Sequence, residues 1–258
     1  MRILLIRHGD PDYEHDTLTE KGWREAGLLA GMAPSMKIDD CYVSPLGRAR
    51  DTASGSLKAM GKEAAVLDWL REFPAVADPN VSEELTRAYP GLSREDNRYS
   101  VRNVIWDMVP DYWTRHPELM EPDGWRRSPV AESGDAVPVY DHVCRELDRL
   151  LAAYGYVREG RLYRVVRENT KTIACYCHFG IICALLSHLL NASPFILWHG
   201  VALAPTSVTE VVSEERQQGI ASFRALRIGD ISHLYAGQEP PSFAARFCEV
   251  FSNDGQRH

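Results

Sequence analysis

Arg7, His8 and Gly9 follow directly on the apolar run 3–6. A run of this length and composition predicts a short buried strand, and ligand sites in α/β sheets collect where parallel strands end. A histidine at such a point can attack phosphorus as a nucleophile, and an arginine beside it can hold phosphate oxygens in its planar fork. The three residues therefore predict phosphoryl chemistry at the end of the first strand.

Four further segments carry the polar residues that a phosphate site needs. They are 18–22 (LTEKG), 44–53 (SPLGRARDTA), 70–72 (LRE) and 177–180 (CHFG). Together with the first motif, their order and content resemble the histidine phosphatase superfamily, also called phosphoglycerate mutase-like. The resemblance extends from residue 1 to about 234, although 73–130 carry no motif of the family.

The resemblance implies a metal-independent reaction in which His8 becomes phosphorylated. His8 would attack as neutral imidazole, and the arginines beside it favour that neutral form. Arg7 and Arg48 are implied to hold the phosphate oxygens. Arg48 rather than Arg50 matches the family, because the residues on both sides of it fit the pattern of 44–53. A helix is predicted to start there, and its dipole would add a preference for an anion.

His178 is the second histidine that the resemblance implies at the phosphoryl group. It follows an apolar strand predicted over 172–177 and opens an apolar, buried helix predicted over 180–190. Phe179 stands where the family more often has glycine. The alternative for His178 is a core histidine with no part in catalysis.

Glu72 is the implied proton donor to the departing alkoxide. The segment 70–72 matches the family segment that supplies this acid in many members, but the usual continuation is replaced by Phe73-Pro74. Other members place the acid elsewhere, so Asp107, Asp111 and Glu132 stay open as alternatives.

Thr206 and Ser207 match a polar position at the start of a late strand of the family. They could bind the phosphate or orient a catalytic histidine, and a turn or capping role is an equal alternative. Gly229-Asp230 and His233-Leu234 resemble a closing motif that is most often structural.

The preferred function is a phosphomonoester hydrolase that acts on a small phosphorylated metabolite. A phosphoglycerate mutase-type phosphotransferase is an alternative. The mutases, however, have a longer loop after Arg-His-Gly, and the short acidic loop 10–16 would repel a carboxylate-bearing substrate. A non-catalytic phospho-ligand-binding protein on the same fold is a further alternative, against which the intact nucleophile argues.

The elements that position these residues alternate between strands and helices. Strands are predicted over 2–6, 41–43, 64–67, 172–177, 207–212 and 222–228, and helices over 19–32, 46–60, 143–154 and 180–190. This alternation predicts an α/β fold, a three-layer α/β/α arrangement with a mainly parallel sheet. Within one domain of 1–258, the aromatic-rich segment 73–130 is predicted to form an inserted, mostly helical cap. Its aromatic side chains would serve the cap core, the leaving group or a homodimer interface.

The composition favours a protein of the cytoplasm. A formal charge of −7 argues against a nucleic-acid partner, and no apolar stretch approaches the length of a membrane span or a signal peptide. The six cysteines form no Cys-x-x-Cys pair, which favours buried free thiols. Cys175, Cys177 and His178 lack a second ligand cluster, so neither a metal nor a cofactor is expected. The expected partner is a small phosphorylated substrate.

Overall fold

The computed structural model describes residues 1–89, 105–244 and 246–253, together with the backbone of 94–95 and 98–99. The chain forms two compact units. The first consists of Met1–Glu72, Arg149–Ile182 and Ala202–His258, and the second of Phe73–Asp148 and Cys183–Val201. The second unit therefore begins where the predicted insert begins, and it contains further segments of the chain beyond 130.

The elements alternate along much of the chain. The strands in the described part are β1 (Arg2–Arg7), β2 (Pro11–Asp12), β3 (Thr17–Leu18), β4 (Asp40–Val43), β5 (Ala64–Val66), β6 (Arg94–Glu95), β7 (Arg98–Tyr99), β8 (Tyr156–Glu159), β9 (Leu162–Val165), β10 (Thr172–Cys177), β11 (Val208–Gln217) and β12 (Ile220–Asp230). The α-helices there are α1 (Glu20–Met32), α2 (Gly47–Met60), α3 (Glu83–Thr86), α4 (Pro110–Trp113), α5 (Pro129–Glu132), α6 (Ala136–Ala153), α7 (Phe179–Leu190), α8 (Pro194–Gly200) and α9 (Ser232–Ala236).

The first unit contains a mixed sheet of eight strands in the order β5-β4-β10-β1-β11-β12-β9-β8. Strands β5, β4, β10 and β1 are parallel, and β11, β12, β9 and β8 continue the sheet in antiparallel pairing. The register pairs Arg7 with Cys177, so β1 and β10 end side by side. This sheet and its helices confirm the predicted α/β fold.

Strands β1 and β10 are buried on both faces, as strands in the middle of a covered parallel sheet are. Leu4, Ile6 and Tyr176 belong to an apolar core that also contains residues of α1 and α2. Ile3 and Cys175 occupy alternate positions on these strands and are equally buried. The burial of both faces fixes where the two strands end, and this in turn places the residues that follow them.

The boundaries of α1 and α2 follow from local chemistry. The hydroxyl of Thr19 accepts a hydrogen bond from the amide of Gly22, which caps the first turn of α1. Helix α2 ends at Gly61, whose φ of 63° lies in the left-handed region that glycine adopts most easily. Both ends agree with the sequence prediction.

Several elements differ from the prediction. Helix α6 begins at Ala136 rather than near 143, because Pro138 lies in its first turn, where the missing amide hydrogen has no helical partner to lose. The hairpin of β8 and β9 was not predicted, since its short strands mix charged and apolar residues. Helix α8 was not predicted either, although Ser193 caps it and Pro194 is its first residue.

Within the second unit, aromatic side chains form a core. Trp198 lies with its ring centroid 5.1 Å from that of Phe73, 5.9 Å from that of Trp106 and 5.2 Å from that of Phe195. Trp125 packs against Phe195 as well, at 5.8 Å. These contacts account for much of the aromatic content of the predicted insert, whose role as a cap stays a prediction.

None of the described helices is long and apolar enough to cross a membrane.

Candidate active site

The two histidines of the sequence motifs lie next to each other at the carboxyl ends of β1 and β10. His8 and His178 directly follow these strands, and the amide of His8 donates to the carbonyl oxygen of Cys177 at 3.0 Å. Their ring centroids are 5.0 Å apart. Both side chains are buried, with exposed fractions of 1% and 0%. The parallel pairing of the strands therefore brings together two residues that are far apart in sequence.

The ring of His8 is fixed in one tautomer. Its Nδ1 lies 2.7 Å from the carbonyl oxygen of Gly9, and a carbonyl can only accept, so Nδ1 carries the hydrogen. The lone pair is then on Nε2. Burial, followed by the charges of Arg7 and Arg48, lowers the pKa of His8 well below its ordinary value. A neutral imidazole with a free lone pair on Nε2 is the form that can act as a nucleophile.

The backbone around His8 is held by two threonines. The amide of Thr206 donates to the carbonyl oxygen of His8 at 3.1 Å, and the amide of Gly9 donates to the hydroxyl of Thr52 at 2.9 Å. Thr52 is fully buried at its position in α2. The loop that carries His8 is thus tied to the turn before β11 and to helix α2.

His178 is oriented by Ser44, a residue with no predicted role. The hydroxyl of Ser44 lies 2.7 Å from Nε2 of His178, while Nδ1 is buried without a hydrogen-bond partner among the described residues. Burial lowers the pKa of His178 well below its ordinary value, and electrostatic interactions with His8, Arg48 and Arg7 lower it further. Its position directly after a predicted strand places Ser44 at this sheet edge, but no signal in the sequence identifies His178 as its partner.

Arg7 is almost entirely buried, with 2% of its surface exposed. One of its terminal nitrogens, Nη1, donates to the carbonyl oxygen of Leu203 and to that of Ala244, the latter at 3.1 Å. These carbonyl acceptors lie on separate segments near the carboxyl end of the chain. They fix the direction of the guanidinium and bring its charge close enough to His8 to lower the pKa of that histidine.

The guanidinium of Arg48 is held by the carboxylate of Asp16. Its Nη1 donates to Oδ1 of Asp16 at 2.6 Å, and its Nε is buried without a partner among the described residues. The amino end of α2, where the helix dipole was expected to add a preference for an anion, holds a carboxylate of the protein itself. The amide of Gly47 there already donates to Oδ2 of Asp16 at 2.7 Å, so the chain supplies its own anion.

The side chain of Glu72 contacts the first turn of α7, the helix that follows His178. Its Oε1 accepts a hydrogen bond from the amide of Ile181 at 3.2 Å, in the first turn of α7. This amide fixes the position of one carboxyl oxygen. The contact connects the end of the first long segment of the unit to helix α7, which follows the second histidine.

The three alternative acids all belong to the second unit. Asp111 and Glu132 are exposed, and Asp111 forms an ion pair with Arg115. Asp107 is exposed as well, but desolvation by the residues around it raises the pKa of its carboxyl to about 6, a value suited to a general acid at neutral pH. Glu72 is therefore the candidate within the same unit as the histidines, and Asp107 is the alternative with the most suitable pKa.

Thr206 and Ser207 differ in how their hydroxyls are used. The hydroxyl of Thr206 lies 2.9 Å from Nε2 of His233, so this residue serves His8 through its backbone amide. The hydroxyl of Ser207 is buried and has no partner among the described residues. Burial lowers the pKa of His233 to about 4, which keeps its ring neutral. The predicted orienting role fits Thr206, and the predicted ligand-binding role fits Ser207.

Taken together, the site offers a nucleophile, two cations and several buried hydrogen-bond donors. In the part of the chain that the structure describes, no three His, Cys, Asp or Glu side chains are grouped as a metal ion would require. Donors of this kind around a neutral histidine suit a tetrahedral oxyanion such as phosphate.

A family match and a curated relative agree with this chemistry. Residues 3–102 match the histidine phosphatase superfamily (branch 1). A 2,3-bisphosphoglycerate-dependent phosphoglycerate mutase of Bartonella quintana (strain Toulouse) is 28% identical over 171 residues, which cover 59% of this chain and 75% of that protein.

Solved structures share the fold. A mutant phosphoserine phosphatase from Entamoeba histolytica in complex with phosphoserine has a TM-score of 0.55 at 19% identity, covering 90% of this chain and 98% of that one. A mycobacterial glucosyl-3-phosphoglycerate phosphatase also has a TM-score of 0.55 at 19% identity, covering 88% and 98%. In its motifs, in the family match over residues 3–102 and in its α/β fold, the chain is similar to the histidine phosphatase superfamily.

Proposed function

We propose that the protein hydrolyses a small phosphomonoester through a phosphohistidine intermediate on His8. The observation that carries this proposal is the state of His8, neutral and protonated on Nδ1, beside a second buried histidine. A protein that only binds a phosphorylated ligand needs cations and donors, but it has no use for a histidine lone pair prepared for attack. The match of residues 3–102 to the histidine phosphatase superfamily supports phosphatase or mutase chemistry.

In the first step Nε2 of His8 attacks phosphorus. A nitrogen–phosphorus bond forms while the bond to the ester oxygen breaks, and Glu72 gives its proton to the departing alkoxide. The products of this step are the free alcohol and a phosphorylated His8. The short N–H···O contact to Gly9 stabilises the positive charge that the ring acquires.

In the second step a water molecule attacks the phosphohistidine. Glu72, now a carboxylate, accepts a proton from this water, and the nitrogen–phosphorus bond breaks. Inorganic phosphate leaves, and both His8 and Glu72 return to their starting protonation states.

Arg7, Arg48, His178 and Ser207 stabilise the charge on the phosphoryl oxygens during both steps. Arg7 is held in place by hydrogen bonds to two backbone carbonyl oxygens. Each of the other three side chains has a buried polar atom without a partner among the described residues, namely Nε of Arg48, Nδ1 of His178 and Oγ of Ser207. Donors that are oriented before the substrate arrives need no reorganisation during the reaction, and this is how an electrostatic site accelerates it.

The mutase relative favours phosphoglycerate mutase activity as a second candidate. A mutase returns the phosphoryl group from histidine to a substrate hydroxyl, whereas a hydrolase transfers it to water. The acidic loop 10–16 disfavours a carboxylate-bearing phosphoglycerate, so hydrolysis is the preferred function.

One set of assays tests these candidates. The purified chain is incubated with p-nitrophenyl phosphate, with a panel of phosphorylated metabolites and with 3-phosphoglycerate, and both released phosphate and isomerised product are measured. We expect phosphate release that is lost in His8→Ala and kept in His15→Ala, a variant of an exposed histidine on the neighbouring loop. Isomerisation without release would favour the mutase, and phosphate binding without turnover of any compound would favour the non-catalytic alternative.

A further inference from the structure

Asp16 connects the loop after the nucleophile to the phosphate-binding arginine. Its two carboxylate oxygens accept hydrogen bonds from two donors at the start of α2, the amide of Gly47 at 2.7 Å and Nη1 of Arg48 at 2.6 Å. This bidentate arrangement resembles the binding of an external anion at a helix amino end. Here the anion is a side chain of the protein itself.

The contact determines which edge of Arg48 is left for a ligand. A guanidinium offers donors along two edges, and Asp16 occupies Nη1. The remaining edge consists of Nε and Nη2, and Nε is buried without a partner among the described residues. A parallel pair of N–H donors on one edge is the geometry that binds two phosphate oxygens at once.

Backbone packing holds the Asp16 carboxylate in place. Asp16 has a φ of 49°, in the left-handed region, and its carbonyl oxygen lies so close to Gly47 that no Cβ would fit there. The next residue, Thr17, donates its hydroxyl to Asp51 of α2 at 2.5 Å. Although burial raises the pKa of the Asp16 carboxyl, the Gly47 amide and Arg48 outweigh it and hold this pKa below its ordinary value.

Tyr13 restricts the guanidinium from a different direction. The central carbon of Arg48 lies 5.4 Å from the centroid of this ring, in a cation–π contact that is separate from the ion pair with Asp16. The loop after His8 therefore controls the orientation of Arg48 by two separate contacts.

We propose that Asp16 is a positioning residue of the phosphate site, which turns the Nε–Nη2 edge of Arg48 toward the phosphoryl oxygens. The inference rests on the proposed function, because that function gives Arg48 a phosphate to hold. The opposite role is that Asp16 competes with phosphate for the same arginine. The two roles predict changes of opposite sign when the carboxylate is removed.

The test is binding of inorganic phosphate and of orthovanadate to Asp16→Ala, Asp16→Asn and the matched control Thr17→Val. Isothermal calorimetry gives the phosphate affinity, competition against p-nitrophenyl phosphate gives the vanadate inhibition constant, and thermal melts check folding. We expect Asp16→Ala to weaken both ligands by roughly tenfold, since a charge-assisted contact is lost. Asp16→Asn keeps an acceptor oxygen and should lose about threefold or less. Thr17→Val removes the neighbouring link to α2 without touching Arg48, so it should lower the melting temperature but keep the affinity.

A double-mutant cycle with Arg48→Gln separates positioning from a general effect on the loop. If Asp16 acts through Arg48, then Asp16→Ala should change vanadate affinity by less than about twofold once Arg48 is already replaced. Tighter binding by Asp16→Ala, or full additivity of the two substitutions, would overturn the inference. A failure of the proposed function is distinguishable, because then Arg48→Gln alone would leave phosphate and vanadate binding unchanged.

Discussion

The rings of His8 and His178 lie 5.0 Å apart between centroids, with their planes inclined by 56°. Each ring has one nitrogen engaged by a fixed partner, the carbonyl oxygen of Gly9 for His8 and the hydroxyl of Ser44 for His178. The remaining nitrogens differ in the roles open to them. Nε2 of His8 has the lone pair for attack, and Nδ1 of His178 can donate to a phosphoryl oxygen if Ser44 donates to Nε2.

Ser44 is therefore expected to control the tautomer of His178. In Ser44→Ala that control is lost, and the turnover number on p-nitrophenyl phosphate should fall by roughly tenfold with a smaller change in KM, because the donor acts on charge that develops in the transition state. Ser44→Thr keeps the hydroxyl and should recover part of the loss. Ser54→Ala, a substitution of an exposed serine in α2, is the matched control. Equal turnover by Ser44→Ala and the wild type would contradict the role of Ser44.

Glu72 is expected to matter in proportion to the basicity of the leaving group. An alkyl phosphate needs its alkoxide protonated, whereas p-nitrophenolate leaves unaided, so Glu72→Gln should slow an alkyl phosphate by roughly 10²-fold or more and p-nitrophenyl phosphate much less. Steady-state kcat/KM on the two substrates provides the measurement. His8→Ala should damage both reactions equally.

The same comparison applies to the alternative acids. Asp107→Asn, Asp111→Asn and Glu132→Gln are expected to leave the ratio of the two rates unchanged. If one of them shows the leaving-group-dependent loss while Glu72→Gln does not, the proton donor is that residue.

The sequence predicted the residues that meet at the ends of the parallel strands. His8 and His178 could be placed near each other because both follow apolar runs of strand length, and strands of this kind end at one edge of a sheet. Arg48 could be selected from two arginines by the residues around it. In these cases the signal lies within a short segment of the chain.

The residues that orient this site could not be predicted in the same way. Asp16 acts only because a left-handed turn brings its carboxylate to Gly47, and Ser44 acts only because β4 pairs with β10. Such contacts depend on how separate segments pack, which residue types alone do not determine. For the same reason the antiparallel strands β8 and β9 were not predicted, since their alternation is weak and their pairing is at the sheet edge.

The activity is expected to survive EDTA and to be inhibited by vanadate. Arg7 and Arg48 supply positive charge at the phosphoryl oxygens, and vanadate adopts the five-coordinate geometry of phosphorus in the transition state. Phosphate release from p-nitrophenyl phosphate with and without the chelator is the measurement. Loss of activity in EDTA that one divalent ion restores would show that a metal takes part.

Stability should fall in mild acid, with a contribution from His233. Burial holds its pKa at about 4, against about 6.5 in the unfolded chain. Between these values the unfolded state binds a proton that the folded state does not, so the free energy of unfolding decreases as pH falls, by up to about 1.4 kcal/mol per pH unit. His233→Gln removes this contribution and should give a shallower pH dependence between about 6.5 and 4 in urea titrations.

The matched control for this prediction is His142→Gln, a substitution of an exposed histidine in α6. It should leave the pH dependence of the unfolding free energy as it is in the wild type. Superimposable curves for wild type and His233→Gln would contradict the assignment of the acid-sensitive contribution to His233.

Trapping of the covalent intermediate tests the central claim most directly. The enzyme is mixed with radiolabelled phosphomonoester, denatured within milliseconds under alkaline conditions, in which phosphohistidine survives, and digested for mass spectrometry. We predict label that is stable in alkali and lost in acid, on the peptide that contains His8, and no label in a folded His8→Ala variant. Turnover without any trapped label, label on a different residue, or appreciable hydrolysis by folded His8→Ala would contradict the mechanism.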